Sequence, residues 1–261
     1  MNAELLLQAG DPEAALHALQ EQVRANPVDV KLRIFLFQLL AVTGQWKRAQ
    51  TQLELAGELD PEAAPMMQAY RDVLNCELHR QAVFQGKSKP LIFGEPEQWV
   101  AQLVEAQQAF ANGDMESFSV LNNQALESAD ARSGKINDET FSWIADADQR
   151  FGPVFECMFN GQYYWVPMSR VKSFFTEEPT DLRDLVWLPA EITWTNDAKI
   201  MVMLPSRYPR IEGILGTGLL ARRTDWEART DEIFEGTGQR VFATDQNDYS
   251  FLQVRSIVFD E

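Results

Sequence analysis

The residue types that most often do chemistry in enzymes are sparse in this chain. Both histidines, His17 and His79, fall in predicted helices, and neither has a second histidine one turn away. Metal-ligand spacings for zinc are therefore missing. The two cysteines, Cys76 and Cys157, form no CxxC pair. Neither a GxSxG nucleophile motif nor a phosphate-binding P-loop occurs, so the sequence gives little support to a catalytic function.

Acidic side chains leave one catalytic alternative open. Asp181 and Asp184 lie three residues apart, and Asp225 follows later in the chain. Neighbouring carboxylates can transfer protons or hold Mg²⁺, so a carboxylate- or metal-dependent hydrolase in the C-terminal half is the alternative hypothesis. With 39 acidic residues in 261, such neighbours are expected by chance. We predict a protein that is not an enzyme and that needs no cofactor.

Aromatic residues and arginines are better candidates for function. Trp, Tyr and Arg are enriched at the energetic centres of protein interfaces. The same aromatic residues also build the cores of small β domains, and core is the simpler interpretation for most of them. The candidate protein-binding residues are Phe37, Tyr163, Tyr164, Trp165, Arg183, Trp187 and Trp226.

The charge balance restricts the class of partner. Lys and Arg number 23 against 39 Asp and Glu, which gives a formal net charge of −16. Such a chain repels the phosphate backbone of nucleic acids and anionic membrane surfaces. A basic or amphipathic protein segment fits better, although the charge also simply favours solubility. The N-terminus has no signal-peptide pattern, and no apolar run is long enough to span a bilayer, so we expect a cytoplasmic protein.

The elements that must position these residues begin with a helical repeat. Two units in the first 61 residues are offset by 34 positions. This period with paired helices is typical of tetratricopeptide repeats. A helix is predicted over residues 28–42 that is apolar over most of its circumference, which indicates a helix packed on two sides or lining a groove. The equivalent pairs are Gly10 and Gly44, Ala15 and Ala49, Leu19 and Leu53, Asn26 and Asp60, and Pro27 and Pro61.

Further helices are predicted over 62–84 and 97–111, and another begins at Met115. The polar stretch 130–138 predicts a linker. After it, strands 154–159 and 162–167 flank Asn160-Gly161, a pair that favours a two-residue hairpin turn.

Other strand signals extend the antiparallel pattern. Strands 192–195 and 199–204 form a second predicted hairpin, and 240–244 with 251–259 a third. Short helical pieces are expected at 140–149, 180–185 and 225–230.

The predicted fold class is α+β, with tetratricopeptide-like helical hairpins followed by a mostly antiparallel β domain. We place the helical-repeat domain at residues 1–130 and the β-rich domain at residues 140–261.

Several motifs in the second half resemble one known family. They are IADADQRFGPVFE from Ile144, NGQYYWVPMSRV from Asn160, EPTDLRDLVWLPAEIT from Glu178, LPSRYP from Leu204, RRTDW from Arg222 and GQRVF from Gly238. In this order they resemble the ImpE family, also called TagJ, and the resemblance extends over the whole chain because the family also begins with tetratricopeptide-like repeats. Family members are accessory components of bacterial type VI secretion systems.

The resemblance implies a cytoplasmic, non-catalytic adaptor beside the contractile sheath. It also implies binding to the N-terminal helix of the small sheath subunit, TssB, and an indirect link to the sheath-recycling ATPase, ClpV. It does not identify individual binding residues. Which half of the chain forms the binding groove stays open at this level.

Overall fold

Helices make up the N-terminal half of the molecule. The computed structural model describes residues 2–95 and 97–260. None of the helices in these two ranges is long and apolar enough to cross a membrane. The helices are α1 (Ala3–Gln8), α2 (Pro12–Ala25), α3 (Val30–Val42), α4 (Trp46–Leu59), α5 (Ala64–Phe84), α6 (Gln98–Ala111) and α7 (Met115–Ser128).

The repeat turns explain why the helices begin and end where they do. Gly10 and Gly44 precede α2 and α4 and have φ of +85° and +70°, values that glycine adopts without strain. The Asp11 carboxylate then accepts a hydrogen bond from the backbone N–H of Ala14 at 2.8 Å, which caps α2. Pro12 follows in the first turn, where its missing N–H costs nothing. The predicted repeat is confirmed at this local level.

Strands dominate the C-terminal half. They are β1 (Leu91–Ile92), β2 (Gly134–Ile136), β3 (Glu139–Phe141), β4 (Ile144–Asp146), β5 (Val154–Phe159), β6 (Gln162–Pro167), β7 (Val171–Thr176), β8 (Trp187–Trp194), β9 (Lys199–Pro205), β10 (Thr224–Ala228), β11 (Phe234–Gly238), β12 (Val241–Thr244), β13 (Asp248–Ser250) and β14 (Ser256–Phe259).

A large sheet has the strand order β1-β6-β5-β9-β8-β7-β14-β2-β3. Its pairs are antiparallel except β1 with β6, which is parallel. Two smaller sheets have the orders β13-β12-β4 and β10-β11. The α+β fold class, with repeats followed by a mostly antiparallel β half, is therefore confirmed.

Local turn chemistry predicted two hairpins correctly. Asn160 and Gly161 have φ of 51° and 69° and connect β5 to β6 over the predicted residues. The hairpin of β8 and β9 also forms, with Asp197 at φ 64° in its turn.

Other local predictions are wrong. Residues 140–149 form β3 and β4 rather than a helix, and 225–230 overlap β10. The third predicted hairpin is divided between two sheets, because β12 pairs with β13 while β14 pairs with β7 and β2. Pairing with distant strands outweighs the local pattern here.

The core shows why α3 is apolar on most sides. Phe37 is fully buried and packs edge-on against Tyr70, with ring centroids 5.7 Å apart. Tyr70 in turn lies 6.3 Å from the ring of Trp187 in β8, and Trp46 lies 5.7 Å from the same ring. The β half therefore covers the face of α3 that would otherwise be an open repeat groove.

The largest hydrophobic cluster spans both halves, and a second one lies on the far face of the large sheet. The helices end at Ser128 and the strands resume at Gly134, close to the predicted boundary. However, β1 belongs to the helical half in sequence and pairs with β6. The division into domains 1–130 and 140–261 stays a prediction.

Candidate functional site

Four of the seven candidate binding residues lie in the interior. Phe37, Tyr163, Trp165 and Trp187 each have 0% of their surface exposed. The Trp165 Nε1–H donates to the Tyr163 hydroxyl at 2.7 Å, and the Trp187 Nε1–H donates to Glu77 at 2.9 Å. These side chains hold the fold together in the described conformation and present no contact surface.

The other three candidates are more accessible. Tyr164 stacks on Phe159 with ring centroids 4.4 Å apart. The Arg183 guanidinium lies 4.6 Å above the Tyr70 ring, beside Phe37 and Trp187 in space. Trp226 is 42% exposed.

The seven residues do not form one surface. Arg183 joins Phe37 and Trp187 around the same interior tyrosine, whereas Trp226 lies against Tyr208 on the β10–β11 hairpin. A protein-binding role for the seven stays a prediction.

The carboxylates of the hydrolase hypothesis serve local structure. Asp184 accepts hydrogen bonds from the backbone N–H groups of Thr180 and Asp181, both at 2.9 Å, and so caps a short 3-10 helix. Asp225 pairs with Arg223 at 2.9 Å on the surface. Over residues 2–95 and 97–260, no group of three His, Cys, Asp or Glu side chains is arranged to hold a metal ion.

A buried ionic network joins α5 to the β half. Arg80 donates to the two carboxylate oxygens of Glu156 at 2.7 and 2.9 Å. Glu156 also accepts from Arg240, whose Nε donates to Asp146 at 2.9 Å. Asp146 also accepts a hydrogen bond from the Tyr208 hydroxyl at 2.9 Å. One helix (α5), two strands (β4 and β5) and two loops are thus fixed against one another by charge-assisted hydrogen bonds.

A second buried cluster extends this network. Arg150 donates to Asp148 at 2.6 Å and to Glu235 at 2.8 Å. Asp148 also accepts from the backbone N–H of Gly236 at 2.8 Å. Burying these charges is tolerable because every one is paired.

Sequence reasoning missed both clusters. One signal was present, since Glu156 interrupts an apolar strand, VFECMF, that is buried on both faces. A charge in such a strand requires a buried partner.

The network shifts its own protonation equilibria. Burial alone would raise the pKa of Glu156, but the charges of Arg80 and Arg240 outweigh burial and lower that pKa. Burial raises the pKa of Asp146 to about 6, although Arg240 opposes the shift. Burial and the neighbouring Glu156 carboxylate raise the pKa of Tyr163. These shifts accompany a structural role, because the groups are sealed from solvent.

Residues 209–222, here called the bridging loop, contact both repeat turns. Ile211 lies against Gly44, where an added Cβ would be 3.0 Å from the isoleucine side chain. Thr217 lies against Gly10 in the same way, at 2.9 Å. Arg222 at the end of the loop donates to the carbonyls of Leu7 and Gln8 at 3.0 and 3.1 Å. The loop therefore spans one repeat period.

Arg207, just before the bridging loop, reaches the end of α3. It donates to the carbonyl oxygens of Val42 at 2.7 Å and Leu219 at 2.6 Å. Burial lowers the pKa of Arg207 to about 10, so the side chain still carries its charge at neutral pH. A cation at the C-terminus of α3 also complements the helix dipole.

The β10–β11 hairpin reaches the third helical pair. Ile233 at its tip is 5% exposed and packs in a cluster with Ala106, Phe110 and Phe118 of α6 and α7. The hairpin therefore spans from the β half to the last two helices.

Between the bridging loop and this hairpin lies an open cleft of about 820 Å³. One side is formed by the repeat turns and the bridging loop, the other by α6, α7 and the hairpin. Residues of α5 form its floor, from the buried Glu77 to the exposed Gln81, together with the exposed Gln85 just after the helix. Its main apolar lining residues are Leu16, Phe84, Phe110, Met115, Ile211 and Ile214.

Three arginines of the cleft are neutralised by carboxylates. Arg150 is held by Asp148 and Glu235, as described above. Arg229 pairs with Glu227 at 3.0 Å and also contacts Glu235, and Arg210 pairs with Glu227. Three cations thus share three anions, Asp148, Glu227 and Glu235.

The fold and this cleft define a class of protein: a tetratricopeptide-type helical repeat built together with a β domain. A family model described as "ImpE protein" matches residues 138–258, and a "Tetratricopeptide repeat" model matches residues 6–70. The chain is 46% identical to the type VI secretion system accessory component TagJ of Pseudomonas aeruginosa, over 100% of this chain and 92% of that protein. This protein belongs to the ImpE family, which is a family of secretion-system accessory components and not of enzymes.

A solved structure has the same fold. The crystal structure of protein VPA1032 from Vibrio parahaemolyticus superposes with a TM-score of 0.92 at 26% sequence identity, covering 99% of this chain and 97% of that one. The predicted family and the prediction that this chain is not an enzyme are both confirmed.

Proposed function

We propose that this protein is a cytoplasmic adaptor of a type VI secretion system that binds the N-terminal helix of the small sheath subunit, TssB, in the cleft. The single observation that carries the proposal is the cleft itself. The β half covers the face of α3, and the cleft is a broad concave surface that the repeat turns still present. Any link to the sheath-recycling ATPase, ClpV, is indirect in this proposal.

The size of the cleft suits a short helix. An α-helix with its side chains is about 10 Å across and rises about 1.5 Å per residue. A volume of about 820 Å³ therefore holds roughly seven helical residues, or two turns. An amphipathic helix binds in such a groove through apolar residues spaced three and four apart. Phe84, Phe110 and Ile214 supply apolar surface for that stripe.

The test is a titration with a labelled peptide that spans the N-terminal helix of the small sheath subunit encoded with this chain. We expect saturable binding that a scrambled peptide lacks. Gln81 is exposed on the cleft floor, so Gln81→Trp should fill the cleft and weaken binding at least about tenfold, or 1.4 kcal/mol.

Asn75 provides a matched control because it is exposed on the same helix but lies outside the cleft. Asn75→Trp should leave the affinity unchanged. Equal binding of native and scrambled peptides at high micromolar concentration would refute the proposed function. If the native peptide binds the Gln81→Trp variant as tightly as the wild-type protein, the peptide binds outside the cleft.

A further inference from the structure

The two sides of the cleft differ in net charge. On the side of the β10–β11 hairpin, three carboxylates neutralise Arg150, Arg229 and the side chain of Arg210, which reaches from the bridging loop to Glu227. On the floor, Glu77 is paired with Arg80 at 3.0 Å and accepts from Trp187. These charges are already paired within the protein, so additional ion pairs with a ligand would contribute little to its binding free energy.

Two carboxylates on the opposite side are not neutralised. Glu13 stands in the first turn of α2, and Glu212 stands in the bridging loop next to Ile211. Both line the cleft and are exposed. Neither has an ion-pair partner within the described part of the chain. This side of the cleft therefore carries two unneutralised negative charges beside an apolar surface.

We infer that the cleft selects an amphipathic helix with Lys or Arg along one edge of its apolar stripe, and that Glu13 and Glu212 receive these basic side chains. The inference rests on the proposed function and adds the residues that set its specificity. An apolar stripe laid on Phe84, Phe110 and Ile214 turns one polar edge of the helix toward the two glutamates. Residues three or four apart share that edge, so two turns hold two basic side chains.

Unneutralised charge at the rim of a groove acts mainly on specificity. A helix whose basic edge faces Glu13 and Glu212 is attracted electrostatically. In the opposite orientation, the same basic edge faces the hairpin side of the cleft, where the charges are already neutralised. An acidic edge is repelled. The two glutamates therefore define one orientation of the helix in the cleft and reject helices of the wrong charge pattern.

The experiment compares two charge-reversed proteins with the same net charge. One is the double variant Glu13→Lys/Glu212→Lys. The other is Glu58→Lys/Glu105→Lys, which reverses two exposed glutamates outside the cleft. The probe is the N-terminal helix peptide of the small sheath subunit, and circular dichroism melting confirms that both proteins are folded. We expect the cleft variant to bind about tenfold more weakly, and the control to change by about twofold or less.

A peptide series completes the test. In each member one Lys or Arg is replaced by Glu, and at least one member should recover affinity for Glu13→Lys/Glu212→Lys while losing affinity for the wild type. Higher salt should shrink the difference between the two proteins, because exposed charges are screened.

The outcomes separate the two proposals. Equal weakening in both double variants would mean that overall charge alone attracts the peptide, and the assignment to Glu13 and Glu212 would be wrong. Unchanged affinity in the cleft variant would overturn the inference and leave the proposed function standing. A peptide that fails to bind the wild-type protein overturns both.

Discussion

Replacing Glu156 by glutamine removes the charge at the centre of the buried network while keeping the shape of the side chain. The carboxylate accepts from Arg80, Arg240 and Tyr163. An amide has one oxygen, so its NH₂ group must face a donor. Breaking a buried ion pair in this way costs about 3–5 kcal/mol. Each kcal/mol lowers the Tm of a chain this large by about 2–4 °C, so Glu156→Gln should lower it by roughly 6–20 °C.

Glu191→Gln is the matched control. Glu191 pairs with Lys199 at 2.8 Å, but the two side chains are 38% and 62% exposed. Such a surface pair contributes about 1 kcal/mol or less. The assay is thermal and urea unfolding followed both by helical circular dichroism and by tryptophan fluorescence. If Glu156→Gln costs no more than Glu191→Gln, the network does not hold the two halves together.

The same pair of proteins gives a dependence on pH with a definite sign. The pKa of Glu156 in the folded protein is lowered from its ordinary value of 4.5. Its stabilisation is therefore complete above pH 4.5 and is lost as the pH falls below that value toward the folded-state pKa. The stability difference between wild type and Glu156→Gln should stay nearly constant from pH 7 to about 5 and should narrow as the pH is lowered below about 4.5. A difference that grows on acidification would contradict the direction of the shift.

Three further predictions follow from the contacts between the halves. Arg207→Met leaves two buried carbonyl oxygens without their donor and should cost about 2–3 kcal/mol in urea unfolding, whereas Arg223→Met at the surface should change stability by about 0.5 kcal/mol or less. Gly44→Ala should cost about 1–3 kcal/mol, because Gly44 has φ of +70° and an added Cβ would press on Ile211; an unchanged stability would contradict both the backbone strain and the contact with Ile211. A fragment of residues 1–130 should show no cooperative calorimetric transition, since Trp46 and Tyr70 lose their packing on Trp187 of the β half; a sharp transition would show that the helical half folds alone.

Sequence reasoning succeeded where structure depends on nearby residues. The 34-residue offset predicted the repeat turns at Gly10 and Gly44, and Asn160-Gly161 predicted a hairpin with the correct ends. Turn chemistry and helix periodicity act over a few residues, so they can be recognised in one chain.

Pairing over long distances could not be predicted in this way. β14 pairs with β7 and β2, and β1 with β6, although nothing in these short segments specifies a partner. The ionic network joins residues 76 to 94 positions apart in the chain. Partners of this kind are set by the whole fold.

The candidate site was harder to predict than the fold. Trp165 and Trp187 have the residue type of an interface centre, yet both are fully buried. Aromatic side chains suit cores and interfaces for the same physical reason, a large apolar area, and type alone does not separate the two. The cleft depends on how the bridging loop and the β10–β11 hairpin are placed, and neither position is encoded in a local pattern.

The bridging loop also changes the mechanics of the repeats. A solenoid whose repeats contact only their neighbours is flexible along its length, because small rotations between successive repeats add up. Here Ile211 and Thr217 rest on two successive turns, and Arg222 ties the end of α1 to the same loop. By contacting both turns, the loop restricts the rotation of one repeat relative to the next. A helix that enters the cleft then loses less free energy to ordering the protein, and a few apolar contacts suffice for useful affinity.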